Sequence, residues 1–259
     1  MSERFTDRLR SLADDVWQAQ HMHPFVRGIG TGTVDRDQFK HWVRQDYLFL
    51  IEYGRLLALA AARAPDLETM RRFADLTQAT LGAEMDLHRS YAADFGITTS
   101  ELESETKSPT TQAYTDFLLR SAAIGDYVEL VAALLPCMWG FSEIGLELKR
   151  AGLPEDTLCA AWIEMYGSEG FAALADWCRD LLDDLAERLP EAEQERLAQV
   201  FLTSSRYELR FWDMARNLEE LVARFKVEQH EVVGFLVERG GCGAVKGLKG
   251  VVWGHRPLR

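Results

Sequence analysis

Positive charge is in short supply. The chain carries 41 acidic residues against 29 basic ones, a net charge of −12. No basic helix and no aromatic-basic interleaving appears before Lys226, which excludes nucleic acid as a general partner. Cysteine is also sparse. Cys137, Cys159, Cys178 and Cys242 form no CxxC pair and no zinc-like spacing. A chain of 259 residues buries enough core to need no disulfide staple. Free thiols in a reducing cytoplasm are therefore expected. The N-terminal stretch MSERFTDRLRSLADD lacks the apolar centre of a signal peptide. The longest dense apolar run, LVAALLPCMWGF, is too short to span a bilayer, so no membrane partner is expected. Strand-like alternation is nearly absent, and helical periodicity takes its place.

That periodicity predicts an all-α bundle of seven to nine helices with mostly short connections. The first helix covers residues 6–20. HPFVRGIGTG reads as a turn, because Pro24 and three glycines interrupt the pattern. A long helix follows, opened by Asp35 and Gln38 in the form of a capping box and closed before Pro65. The next runs to Gly96. ITTSELESETKSPT reads as a polar surface loop, and TQAYTDFLLRSAA as a helix ending at Gly125. The central apolar helix, residues 126–150, holds Pro136. Proline removes a backbone donor and crowds the carbonyl four residues back, so a kink or two helices meeting end to end is expected there. Helices over 155–166 and 168–189 follow, and the last opens at Pro190 and runs through Phe225. Residues 1–225 thus make one helical domain. The glycine-rich stretch 226–259 is an extension of another character, a small hairpin or a poorly ordered tail.

Few residues stand out as carriers of chemistry. Asp46, in QDY, shares a helix side with Trp42, Phe49, Leu50 and Tyr53. It is either a pocket acid or a surface acid beside Arg44. Glu208, in RYELRFWDM, repeats the choice, with Arg206 and Arg210 as surface partners. Tyr114 and Tyr166 lie near helix interruptions, where packing with one hydroxyl hydrogen bond is the simpler reading. Cys137, taken alone, reads as a buried structural thiol. HMH at 21–23 has no further ligands at metal spacing. Glu84 with His88 at i+4 does not make the Glu-x-x-His pair of a di-iron bundle. GTG and GCG lack the strand–loop–helix context of a phosphate loop.

Taken together, VRQDYLFL, QAYTDFLL, ELVAALLPCMWGFSEIG, MYGSEGF and SSRYELRFWDMA resemble the TenA family, the thiaminase II or aminopyrimidine aminohydrolase proteins, in family order over roughly residues 5–222. The resemblance implies a haem-oxygenase-like helical bundle without haem, assembled as a homotetramer. It implies Cys137 as nucleophile, Glu208 as acid/base and Asp46 as the carboxylate that holds an aminopyrimidine. Tyr114, Tyr166 and Phe211 match pocket residues. Phe49 and Phe141 stand where the family has tyrosine, so two hydroxyls are missing from the pocket. The activity implied is thiamin salvage: release of the 5-substituent of a 4-aminopyrimidine through a cysteine adduct, with no metal or redox cofactor. Two other classes stay open at this point. One is a binding or regulatory protein that keeps the pocket without turnover. The other is a cofactor-dependent oxidoreductase on the same fold, although ligands for haem or di-iron cannot be assembled from these residues.

Overall fold

The computed structural model describes residues 4–216. The expected extension from Lys226, the far end of the last helix and Cys242 lie outside these residues. Within them the chain is helical throughout, with no strand. In order, the helices are α1 (Phe5–Leu12), α2 (Asp14–His21), α3 (Pro24–Thr31), α4 (Arg36–Ala62), α5 (Leu67–Ala79), α6 (Met85–Asp94), α7 (Thr99–Glu103), α8 (Pro109–Ile124), α9 (Tyr127–Ala151), α10 (Thr157–Tyr166), α11 (Glu169–Ala186) and α12 (Glu191–Arg216). A single π-helical turn, Thr80–Glu84, joins α5 to α6.

Twelve helices replace the expected seven to nine because local signals that read as interruptions are helix ends. Residues 6–20 split at Ala13 into α1 and α2. HPFVRGIGTG is a helix and not a turn. Pro24 occupies its first turn, the His23 ring accepts the Phe25 N–H, and Gly32 closes it in the left-handed region at φ 69°. Proline at the start and glycine past the end are the ordinary punctuation of a short helix. The stretch read as a loop contains α7, whose first turn is fixed by a reciprocal Thr98–Glu101 capping box. At α4, Asp35 caps the N–H groups of Asp37 and Gln38, the Asp35 half of the expected box.

The core is organised around α9. Leu130 to Pro136 are all buried, and α8, α10, α11 and α12 pack around it. By length and hydropathy α9 alone among the described helices could cross a membrane, yet 72% of its most apolar stretch is buried inside the protein. It is one unbroken helix through Pro136. The turn ahead of the proline is served from neighbouring helices. Ser204 donates to the Ala133 carbonyl at 2.7 Å, and Tyr53 donates to the Leu134 carbonyl at 3.3 Å. Side-chain donors of this kind accommodate the backbone that proline loosens. Later in α9, Gly145 meets the backbone of Tyr166 and Gly167, where a Cβ would fall within 2.4 Å of the Tyr166 carbonyl carbon. That close approach seats the end of α10 against α9 and places Tyr166 beside the centre of the bundle.

Candidate active site

A cavity of about 170 Å³ lies between α4, the π turn, α9 and the junction of α10 with α11. Sites for drug-sized ligands run to roughly 300–1,000 Å³, so this one suits a single small ring. Asp46 and Phe49 enter from α4, Glu84 from the π turn, Cys137 and Phe141 from α9, and Tyr166 from α10. Helical spacing explains the pairs: Phe49 is three residues beyond Asp46, and Phe141 is four beyond Cys137. Most of the remaining lining is apolar, including Leu50, Leu76, Met138, Met165 and Leu174.

Behind the thiol stands Glu208, 2% exposed on α12. It does not line the cavity; its carboxyl faces Cys137 and hydrogen-bonds with Tyr114. Tyr114 in turn lies 3.2 Å from the Ser204 hydroxyl, whose own proton goes to the Ala133 carbonyl. A hydroxyl has one proton to give. The Tyr114 hydroxyl gives its proton to Glu208 Oε1, and Ser204 gives its own to Ala133. Burial pushes the Glu208 carboxyl up to about 8, although hydrogen bonds from Tyr114 and Cys137 oppose the shift. Burial and the nearby Glu208, Glu84 and Asp46 carboxyls push the Cys137 thiol well above its ordinary value. Sulfur and carboxyl therefore both keep their protons near neutral pH.

The opposite wall pairs a carboxyl with an imidazole. Asp46 is 3% exposed, and its Oδ2 lies 2.6 Å from Nε2 of His88. The other ring nitrogen, Nδ1, lies 2.9 Å from the Glu84 carbonyl oxygen. A carbonyl only accepts, so Nδ1 carries a proton and Nε2 is left to face the carboxylate. Burial opposes a charged imidazole here, but the hydrogen bond and charge of Asp46 outweigh it, and the His88 pKa is raised. Glu84 points the other way, toward the cavity, and receives the Tyr166 hydroxyl at 2.9 Å. Burial pushes its carboxyl up to about 7.

The surface alternatives for both acids are set aside by this geometry, since Arg44 pairs with Glu105 and Glu208 faces inward. Asp46, Phe49, Cys137, Phe141 and Tyr166 meet in one cavity. Tyr114, Glu208 and Phe211 form the layer behind it, with Phe49 packed on Tyr114 and Phe211 at centroid distances of 5.1 and 5.5 Å. His21 and His23 do not meet at a common point: the first faces Glu143 and Glu147, the second Asp213. Sequence reasoning missed Glu84, His88 and Ser204 as parts of the site. EMDLH sets an acid and a histidine one helical turn apart, a spacing that by itself points to no partner across the fold.

An all-helical bundle with a half-buried thiol, three carboxyls and an apolar slot defines the class as a haem-oxygenase-like helical fold. Haem oxygenase-1 from the cyanobacterium Synechocystis shares the fold at a TM-score of 0.56 and 15% identity, over 89% of this chain and 100% of that one. A TenA family transcription regulator from Silicibacter is nearer, at a TM-score of 0.76 and 33% identity, over 82% of this chain and 96% of that one. Residues 10–218 match the TENA/THI-4/PQQC family, and the chain belongs to that family. It is 44% identical to an aminopyrimidine aminohydrolase from Halalkalibacterium halodurans, over 82% of this chain and 96% of the relative. It is 37% identical to one from Bacillus subtilis, over 83% and 91%.

Proposed function

We propose that this chain is a hydrolase of thiamin salvage that converts 4-amino-5-aminomethyl-2-methylpyrimidine to the 5-hydroxymethyl compound through an adduct on Cys137. The observation that carries the reading is that Cys137 and Asp46 line one small cavity with Glu208 against the sulfur. Family membership and the names of its relatives support the same class of substrate.

The protonation of the site suggests how its residues divide the work. Glu208, protonated near neutral pH, gives its proton to a ring nitrogen. The carboxylate left behind takes the thiol proton as sulfur bonds to the unsubstituted ring carbon. Aromaticity is lost, and ring electrons expel the 5-substituent with the electron pair of its bond. Water adds to the exocyclic methylene and gives one proton to the departed amine, the thiolate leaves and takes a proton from Glu208, and the ring nitrogen returns its borrowed proton to that carboxylate. This is nucleophilic catalysis, one hard step divided into easier ones, with a carboxyl tuned by burial as the proton carrier. Asp46 accepts from the 4-amino group with the oxygen that His88 does not occupy. Phe49 and Phe141 supply flat apolar walls.

The experiment is incubation of the purified protein with the aminomethyl pyrimidine, and separately with thiamin, following the hydroxymethyl product. Product from the first at a rate proportional to enzyme supports the reading. Tight binding of either compound with no product favours the second reading, a binding or regulatory protein on the same scaffold. The two phenylalanines in place of tyrosine are what favours that one. The proposal also carries a cytoplasmic homotetramer, which light scattering at assay concentration would test.

A further inference from the structure

The cavity has two acids where the proposed ring amine needs one. Among the described residues, Asp46 and Glu84 are the charged side chains in its lining, and no lysine, arginine or histidine is part of it. The two acids are neighbours in that lining, Asp46 from α4 and Glu84 from the π turn, close enough that burial and the charge of Asp46 together push the Glu84 carboxyl up. His88 Nε2 faces Asp46, and its Nδ1 donates to the backbone carbonyl of Glu84. The proposed substrate has two nitrogen substituents side by side as well, the 4-amino group and the 5-aminomethyl group on adjacent ring carbons. Glu208 already serves the thiol and the ring nitrogen in the proposed reaction, which leaves the second of these to the other acid of the lining.

We propose that Glu84 is the leaving-group residue of this site: its carboxylate pairs with the protonated 5-aminomethyl nitrogen and then receives the proton from the water that replaces it. This rests on the aminopyrimidine reading of the cavity and deepens it to a preference for a primary ammonium leaving group. The carboxyl is pre-aimed. Tyr166 donates to one of its oxygens at 2.9 Å, and Glu84 itself is held in the π turn. Such turns, with their extra residue, recur at functional sites. Leu76, Met165, Phe171 and Leu174 share the lining with Glu84. In such apolar walls an ammonium is costly unless paired, and a fixed carboxylate is the pair it needs.

The step balances without another reactant. The C–N bond breaks and its electron pair leaves on nitrogen as neutral ammonia, because the amine entered as –NH3+. Water bonds to the exocyclic carbon and gives one proton to the Glu84 carboxylate. Glu84 passes that proton to ammonia, which departs as ammonium, and the carboxylate is restored. A carboxyl pushed up by burial to about 7 exchanges protons readily in both directions near neutral pH.

The test separates this role from the hydrolase reading by using Cys137→Ser protein, in which bound ligand is not consumed. Affinities for the 5-aminomethyl and 5-hydroxymethyl pyrimidines are measured by calorimetry with and without Glu84→Gln. The parent is expected to prefer the amine by roughly 10–100-fold, the range of one charge-assisted hydrogen bond. Glu84→Gln is expected to reduce that preference to about threefold or less. In protein with Cys137 intact, Glu84→Gln is expected to lower kcat on the aminomethyl compound by about 100-fold. A preference that is absent in the parent, or unchanged by Glu84→Gln, overturns the role of Glu84 while leaving the hydrolase reading to its own product assay. Failure of both pyrimidines to bind the parent overturns the two together. Should Glu84→Gln not fold, Tyr166→Phe removes the hydroxyl that aims the carboxyl and is expected to shrink the same ratio. An unaltered ratio there counts against the proposal.

Discussion

The two walls of the cavity use buried carboxyls in opposite ways. On the α9–α12 side, Glu208 is surrounded by neutral partners: a thiol, a phenol and, beyond it, the Ser204 hydroxyl. On the α4–π-turn side, Asp46 faces an imidazole whose other nitrogen already donates to a carbonyl. The two acids are equally removed from water, so depth alone does not separate them. Neighbours do. Burial pushes the Glu208 carboxyl among its neutral partners toward the protonated form, whereas on the other wall Asp46 draws the His88 imidazole toward its charged form. One wall is built to carry a proton and the other to present a fixed acceptor. Cysteine offers the same lesson: burial alone pushes Cys178, deep in the core, up to about 12, and nothing near it moves a proton.

The largest break in this comparison comes from the sulfur. Cys137→Ser is expected to abolish product formation while leaving the melting temperature and pyrimidine affinity nearly unchanged. Undiminished turnover by the serine variant would remove the covalent step from the mechanism. Next in size is Glu208→Gln, with an expected loss of about 10²–10⁴-fold in kcat. Its pH behaviour is the sharper readout. The working form is protonated, so wild-type kcat/KM is expected to be present below and lost as pH rises through about 8, and that limb should vanish in the variant. Stability carries the same sign. The folded-state pKa is raised from 4.5 to about 8, so the folded protein loses stability between those values as pH rises. Glu208→Gln is therefore expected to gain in melting temperature relative to wild type from pH 5 to pH 8. A constant difference across that range would mean the carboxyl is not held protonated.

Much of this arrangement is readable in the sequence, and the unread part has a common cause. α9 is legible because its apolar run is dense and uninterrupted by charge, and α4 because Asp35 caps it. Asp46 is singled out, with a surface alternative, by the apolar and aromatic residues at helical spacing around it, and Cys137 gains its role only through the family resemblance. Pro136 misleads, because the donors that accommodate it, Ser204 and Tyr53, lie 68 and 83 residues away. Pro24 and Gly32 mislead as breakers because the same residues open and close short helices. Glu84 and His88 escape because their meaning is tertiary. Nothing local says that His88 reaches across to α4, or that a π turn faces Glu84 into the cavity. Helical periodicity reports which face is buried; it does not report which partner waits there.

The Asp46 wall is tested by smaller effects. Asp46→Asn preserves size but replaces an acceptor-only group with an amide. It is expected to weaken binding of the 4-aminopyrimidine by roughly 10–100-fold. A ring lacking the amine should bind wild type and variant alike. Asp46→Asn also leaves His88 buried without its counter-charge, so the melting temperature should fall. Adding His88→Gln removes the stranded charge and is expected to restore part of the stability without restoring affinity. Equal recovery of both would mean that Asp46 serves the fold and not the ligand.

The smallest effects belong to the two phenylalanines, and they ask whether the walls can be tuned separately. Although Phe49 rides on the helix of Asp46, its ring packs at 5.1 Å on Tyr114, on the proton-carrying wall. Phe141 rides on the helix of Cys137, yet its ring packs at 5.0 Å on Tyr166, which holds Glu84. Each is nearly buried and lines the cavity. A hydroxyl added to either ring gains roughly 0.5–1.5 kcal/mol if it finds a neutral partner and loses through desolvation if it does not. Phe141→Tyr is expected to raise kcat/KM for the aminomethyl pyrimidine by up to about tenfold, mostly through KM, because its neighbours hold the substrate. Phe49→Tyr is expected to act through kcat and to shift the alkaline limb set by Glu208, because its neighbour is Tyr114. The double variant should combine the two changes if the walls are independent. If all three variants melt normally and lose activity, this cavity is tuned around phenylalanine. The missing tyrosine hydroxyls then mark a drier site and not a weakened one.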